Sequence, residues 1–129
     1  MKTEIISLGE IQIEKIEMDG NTIAYIRSDS PILTDVQSAL DLIATVDYQT
    51  GCSNLILDKE SIVEEFFDLK TRLAGEIIQK YVNYRVRLAI VGDFSGYTSK
   101  ALRDFIYECN HGKDLFFVSD KEEALKRLL

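Results

Sequence analysis

The chain has few of the residues that carry common catalytic and metal chemistry. Its 129 residues include one histidine, two cysteines, one proline and no tryptophan. With a single histidine and no CxxC or HxxxH spacing, the pattern of a structural zinc site is absent. Glycine-rich phosphate loops and the GxSxG nucleophile motif are absent too. The sequence therefore predicts no metal and no cofactor, and it favours a non-enzymatic protein without excluding a small enzyme.

Long apolar segments are also absent. No apolar run approaches the roughly 20 residues that span a bilayer, and residues 1–7 lack the apolar region of a signal peptide. Cys52 and Cys109 lie far apart in the chain, which predicts two free thiols in a reducing compartment. These features predict a cytoplasmic protein with no membrane partner.

The charge of the chain is acidic and unevenly distributed. A net charge of −7 argues against nucleic acid as a partner, because phosphate contacts need a basic surface. Residues 70–87 nevertheless hold five basic residues and one acidic residue, Glu76. Most such clusters are solvated surface, and the alternative is a docking surface for an acidic partner or a phosphate.

The length and the hydrophobic pattern predict a single α/β domain over residues 1–129. Asp19-Gly20-Asn21 separates two apolar runs and predicts an antiparallel hairpin, while residues 4–8 can add a further strand. The apolar alternation slips between Ile13 and Ile16, which predicts a β-bulge near residues 14–15. Helices and strands then alternate, so we expect a mostly parallel sheet with right-handed crossovers.

Helix boundaries follow from capping signals. Thr34 and Gln37 form a capping-box pattern before a helix predicted over residues 35–49. Ser61 and Glu64 repeat the pattern, and helical spacing runs on to residue 81 with a break expected near Asp68. Strands are predicted over 54–58, 86–92 and 115–118, with helices starting at residues 98–99 and at 119. Gly75 lies inside a predicted helix, where it indicates close packing of another backbone.

One candidate site lies at the start of the helix that follows Asp68. Asp68 and Thr71 have the spacing of residues near exposed backbone N–H groups, which attract anions. Thr71 is a possible phosphorylation switch, and its simpler role is a capping hydroxyl. The full set of candidate residues for a partner-binding or switch surface is Asp68, Thr71, Arg72, Glu76, Lys80, Asn83 and Arg85.

A second candidate site lies at the carboxyl ends of the strands. Asp58 and Asp93 each close a predicted strand, and Ser95 and Tyr97 follow the second one. Ligands of parallel sheets bind at this edge, so these four residues are the alternative pocket for a small molecule or a small enzyme. The simpler role of the two aspartates is turn formation.

Several segments resemble one family closely. The residues that carry the resemblance are Phe66-Phe67-Asp68-Leu69-Lys70-Thr71, Ala74-Gly75-Glu76, Gln79-Lys80, Asn83-Tyr84-Arg85-Val86-Arg87 and Ala89-Ile90-Val91-Gly92-Asp93-Phe94-Ser95. They resemble the bacterial domain-of-unknown-function family 4180, and the resemblance covers most of the chain. It implies no established activity.

The order of elements is more weakly similar to the STAS fold of anti-sigma-factor antagonists. In that fold a buried strand ending in Asp leads to a helix whose N-terminal Ser or Thr is phosphorylated. Leu55-Ile56-Leu57-Asp58 matches the strand, and Phe66-Phe67-Asp68 matches the apolar pair and Asp. The small Ser-Ser-Gly or Ser-Thr-Gly turn of that family is replaced by Leu69-Lys70-Thr71, so Thr71 is displaced from the switch position.

The leading hypothesis from the sequence is a non-enzymatic regulatory module with a STAS-like mixed sheet that binds another protein. The alternative is a small-molecule binder or small enzyme at the strand ends. Self-association as a homodimer is a further possibility that the sequence leaves open.

Overall fold

The computed structural model describes residues 1–129 as one six-stranded mixed sheet with four α-helices. The strands lie in the sheet in the order in which they occur in the chain. The first three are antiparallel, and the last four run parallel to one another. This confirms the predicted α/β class, the N-terminal hairpin and the parallel strands that follow it.

The bounds of the elements follow the predicted pattern closely. The strands are β1 Lys2–Leu8, β2 Ile11–Met18, β3 Asn21–Ser28, β4 Asn54–Asp58, β5 Arg87–Val91 and β6 Leu115–Val118. The helices are α1 Val36–Thr50, α2 Leu73–Asn83, α3 Lys100–Asn110 and α4 Lys121–Leu128. No helix has both the length and the apolar character needed to cross a bilayer.

The two faces of the sheet are covered unequally. Helices α1, α2 and α3 pack on one face, the three-helix face, around a core that includes Ile26, Leu57 and Ile90. Only α4 packs on the other face, where Ala124, Leu125 and Leu128 cover the core residues of β4 to β6. On the α4 face, β1 and the start of β2 are therefore left open, and polar side chains gather there.

The predicted β-bulge is wrong, because β2 pairs without interruption with both of its neighbours. Ile13 and Ile16 are both fully buried, but they belong to the two different cores on opposite faces of the sheet. The alternation of apolar residues changes between Ile13 and Ile16 because β2 buries one of them on each face of the sheet, without an extra residue in the strand.

Two predicted helix caps are shifted by one residue, and a third is absent. Asp35, rather than Thr34, begins α1, and its carboxylate accepts from the Ser38 N–H at 2.7 Å. Asp120 begins α4 in the same way, through Glu123. Ser61 begins no α-helix, because residues 59–71 form three short 3₁₀ turns. The predicted break near Asp68 is confirmed, since α2 starts only at Leu73.

Candidate functional site

The turns that lead into α2 are held by buried aromatic rings and by backbone hydrogen bonds. Phe66 and Phe67 are buried in the core and contact each other edge to face. The Asp68 carboxylate accepts from the Lys70 N–H at 3.2 Å. The Thr71 hydroxyl lies 2.8 Å from the carbonyl oxygens of Glu65 and of Asp68 and accepts from the Leu73 N–H. Thr71 therefore fixes the geometry of these turns, as a capping hydroxyl does.

Three of the predicted site residues lie together at α2. Glu76 and Lys80 are four residues apart on one face of the helix, and Arg72, with a φ of 66°, directly precedes its first residue. They border an open groove of about 620 Å³. We call this depression the α2 groove; its residues are Val36, Leu69, Arg72, Gly75, Glu76, Gln79, Lys80 and Phe105. The apolar side chains come from the start of α1, the last 3₁₀ turn and α3, so three elements meet there.

Gly75 opens the surface of this groove. The prediction that another backbone packs against it is wrong, because a Cβ added at Gly75 would have no atom within 4 Å. Its φ angle is not in the left-handed region either. Neither packing nor backbone conformation requires glycine here, and the result is an uncovered stretch of helix between charged neighbours.

The remaining residues of the predicted surface lie before α2, at its last residue or beyond it. Asp68 and Thr71 are in the turns that precede the groove. Asn83 accepts from the Gln79 side chain at the end of the helix, and Arg85 lies beyond it with a φ of 58°. Arg87 is not part of the basic surface near α2, because its guanidinium donates to carbonyl oxygens of Lys113, Arg127 and Leu128.

The four strand-end residues do not converge on one pocket. Asp58 lies on the α4 face, where its carboxylate accepts from Tyr25. Asp93 and Ser95 form a local turn, in which the Ser95 hydroxyl and N–H lower the pKa of the Asp93 carboxyl. Tyr97 belongs to the three-helix face and donates to Glu64 at 2.7 Å. Asp58 and Asp93 line different depressions.

Asp58 is instead part of a polar depression of about 520 Å³ at the carboxyl ends of β3 and β4. We call it the polar basin; its lining is Ser7, Gly9, Glu10, Ile11, Gln12, Arg27, Ser28, Asp29 and Asp58. Tyr25 lies beside it with 3% of its surface exposed and donates to Asp58 at 2.5 Å. The Arg27 guanidinium lies 4.4 Å from the centre of the Tyr25 ring. These groups offer a free carboxylate oxygen and guanidinium donors within one depression.

The electrostatics of the polar basin keep Tyr25 protonated. Burial raises the pKa of Tyr25, and the hydrogen bond to Asp58 raises it further. Nearby, Lys121 of α4 forms an ion pair with Glu14 at 2.8 Å. Tyr25 is therefore a hydrogen-bond donor at neutral pH and not a general base. No three His, Cys, Asp or Glu side chains come together as metal ligands.

Sequence reasoning missed the residues that shape both depressions. Val36 and Phe105 follow the helical spacing of core residues, and only the packing of α1 and α3 exposes them together. Tyr25 and Arg27 carried a usable signal, because residues two apart on a strand share one face. A tyrosine and an arginine on that face, next to a strand ending in Asp58, indicate a polar site.

Comparison with known proteins agrees with the resemblance read from the sequence. No curated protein and no solved structure matches the chain. A family model described as domain of unknown function (DUF4180) matches residues 18–128. The match includes the α2 groove and strands β3 and β4 of the polar basin, but not β1 and, apart from Met18, not β2. The chain therefore belongs to the DUF4180 family.

Proposed function

We propose that this protein is a non-enzymatic binding module whose α2 groove takes an apolar segment of another protein. The observation that carries the proposal is Gly75. Glycine inside a helix costs about 1 kcal/mol relative to alanine, and nothing around Gly75 compensates for that cost. Because Gly75 has no side chain, a side chain of the partner has room to pack over the apolar surface of Leu69 and Phe105.

The charges around the groove indicate the chemistry of the partner. Arg72 and Lys80 border it against a single carboxylate, Glu76. Lys70 and Arg85 add positive charge before and after α2, whereas the chain as a whole carries a net charge of −7. A partner segment with an apolar side chain flanked by acidic residues matches this arrangement, and complementary charge speeds its encounter. We place this encounter in the cytoplasm, since both cysteines are free thiols.

A regulatory role of Thr71 would act through the turns beside the groove. Its hydroxyl lies against two carbonyl oxygens, so phosphorylation would break these contacts and add negative charge close to Arg72. A switch at Thr71, in the manner of STAS-like proteins, is therefore part of the proposal.

The test is capture of partners from the lysate of the organism that makes the protein. The carboxyl-terminally tagged wild type is compared with Gly75→Leu, which fills the groove, and with Arg72→Glu, which reverses a charge beside it. Lys126→Leu introduces a leucine at an exposed position of α4, away from the groove, and is the matched control. A stoichiometric protein lost with both groove variants and kept with the control supports the proposal. Equal capture by all four proteins, or no captured protein, contradicts it.

A second function is favoured by the polar basin. Ligands of open α/β sheets bind outside the carboxyl ends of the strands, and small-molecule sites combine a concave surface with a few polar groups. The basin has both features, with Arg27 and Asp58 at the ends of β3 and β4. We propose a small uncharged or zwitterionic ligand, because Arg27 and Asp58 offer opposite charges side by side. Thermal unfolding against a panel of sugars and amino acids tests this. A shift that disappears in Asp58→Asn, and persists in Asp93→Asn, supports the basin; no shift with any compound contradicts it.

A further inference from the structure

The two edges of the sheet differ in how their backbone groups are satisfied. At the β6 edge, the Asn110 side chain accepts from the Phe117 N–H at 2.8 Å and donates to the Phe117 carbonyl oxygen at 3.1 Å. This side chain at the end of α3 takes the place of a neighbouring strand. Because an open edge is a template for pairing with another chain, the Asn110 contact closes that route at β6.

The β1 edge has no such closure. β1 pairs with β2 over all seven of its residues, from Lys2 opposite Glu17 to Leu8 opposite Ile11, without a bulge. It contains no proline, and no hydrogen bond from a side chain or a loop reaches it. Half of its backbone N–H and C=O groups therefore point away from β2 with no partner in the chain.

The side chains of β1 are unusually neutral for this protein. Residues 1–9 hold one basic and one acidic side chain, Lys2 and Glu4, in a chain of net charge −7. Both lie on the three-helix face, opposite Glu17 and Lys15 of β2. On the α4 face β1 presents Thr3, Ile5 and Ser7, and 55% of the Ile5 surface is exposed. An edge with no net charge is the part of an acidic protein that a second copy can approach with the least repulsion.

We propose that β1 pairs antiparallel with β1 of a second copy, with the two-fold axis at Ile5, to form a continuous twelve-stranded sheet. This register pairs all seven residues. It places Ile5 opposite Ile5 and Thr3 opposite Ser7, and both kinds of pair stabilise antiparallel strands. On the other face Lys2 lies opposite Leu8 and Glu4 opposite Ile6, so no like charges are directly opposed.

Neighbouring registers are worse. A two-fold axis at Glu4 opposes two carboxylates, which is destabilising in a cross-strand pair. An axis at Ile6 pairs only residues 4–8 and leaves Lys2 and Thr3 outside the ladder. The register at Ile5 is therefore the one that uses the whole strand, and it leaves the α2 groove free, so its test is independent of that of the binding function.

Disulfide trapping tests this register directly. Directly opposed residues of antiparallel strands have Cβ atoms about 4.5–5.5 Å apart, close to the spacing of a disulfide. We expect mild oxidation of the untagged Ile5→Cys protein to give a covalent dimer. Thr3→Cys is the matched control, because it lies on the same face and is opposed by Ser7. Equal cross-linking of the two variants, or none of Ile5→Cys, contradicts the proposed register.

Sedimentation velocity tests the association itself. We expect the fraction of wild-type dimer to increase as the protein concentration is raised to about 200 µM, because an interface of one strand pair is small and its association is weak. Ile5→Lys places two ammonium groups at the axis and should weaken the dimer at least about tenfold, while Ile5→Val should keep it. Circular dichroism verifies that both variants are folded, as an exposed position allows. A wild type that stays monomeric throughout overturns the proposal.

Discussion

At the scale of the residue, Tyr81 shows how burial sets the chemistry of one side chain. Its phenol is 3% exposed in the core between α1 and α2, and its hydroxyl lies 3.4 Å from the Ala39 carbonyl oxygen. Burial raises the pKa of Tyr81 above its ordinary value, because the phenolate would lose its hydration. In the unfolded chain the same phenol titrates near pH 10.

The raised pKa predicts a loss of stability in alkali. The contribution of Tyr81 is fully present below about pH 10 and is lost as the pH rises above it, since only the unfolded chain then releases the proton. Tyr81→Phe should change the free energy of unfolding by less than about 1 kcal/mol at neutral pH, because the hydrogen bond is long. It should also shift the alkaline unfolding midpoint upwards.

Circular dichroism during a pH titration measures that midpoint. Tyr48→Phe is the matched control, because Tyr48 is 87% exposed. An alkaline midpoint that moves equally in the two variants would contradict the assignment to burial.

At the scale of the element, α2 combines a costly glycine with an open surface. Gly75→Ala should raise the free energy of unfolding by about 0.5–1 kcal/mol, because alanine is the better helix former and its Cβ meets nothing. Urea unfolding measures the change. Gly92→Ala is the comparison, since a Cβ there would lie 2.7 Å from the Lys59 Cβ and should destabilise the protein. A destabilised Gly75→Ala variant would refute the open groove.

The attachment of α4 depends on Arg87. Its guanidinium donates to the last carbonyl oxygens of α4 at 2.8 Å and 3.2 Å, where a positive charge also complements the helix dipole. Arg87→Met keeps an unbranched apolar stem and removes the donors, so we expect the free energy of unfolding to fall by about 2–3 kcal/mol.

Arg85→Met is the matched control for Arg87, because Arg85 is exposed and forms no side-chain hydrogen bond or ion pair. Its change should stay within about 0.5 kcal/mol. Similar losses in the two variants, measured by urea unfolding, would show that Arg87 does not hold α4 in this way.

At the scale of the whole molecule, a large excess of negative charge is accompanied by few ion pairs. The net charge is −7, and three ion pairs are present: one within β2, one between α4 and β2, and one between exposed side chains of α3. Exposed pairs contribute little, whereas excess charge destabilises the compact state. Screening should therefore raise the stability.

We expect the free energy of unfolding to increase by on the order of 1 kcal/mol between about 0.02 M and 0.5 M NaCl. Urea unfolding at each salt concentration measures this, and potassium chloride in place of sodium chloride controls for a specific cation effect. A decrease in stability would mean that the ion pair of Lys121 and Glu14 outweighs the repulsion.

The local pattern determined the kinds of element and their order. The periodicity of apolar residues identified α1 and the buried strands β4, β5 and β6, because a helix and a strand bury their side chains with different spacings. The caps were displaced by one residue, since neighbouring Thr, Ser and Asp side chains compete for the same N–H groups. The family could be recognised from residues 66–95 because the matching segments are contiguous in the sequence.

Tertiary structure decided everything that depends on which face a residue meets. Asp58 and Tyr97 are both near strand ends in the sequence, yet they lie on opposite sides of the sheet. Asp58 is on the α4 face because β4 directs alternate side chains to alternate faces, whereas Tyr97, in the loop after β5, packs against the core of the three-helix face. The sequence predicted that another backbone packs against Gly75, but neither α1 nor α3 covers it. The α2 groove and the polar basin are formed by elements distant in sequence, so no single stretch of the chain could have specified them. The β1 edge is open because all other strands lie on the β2 side of β1, which depends on the order of the whole sheet.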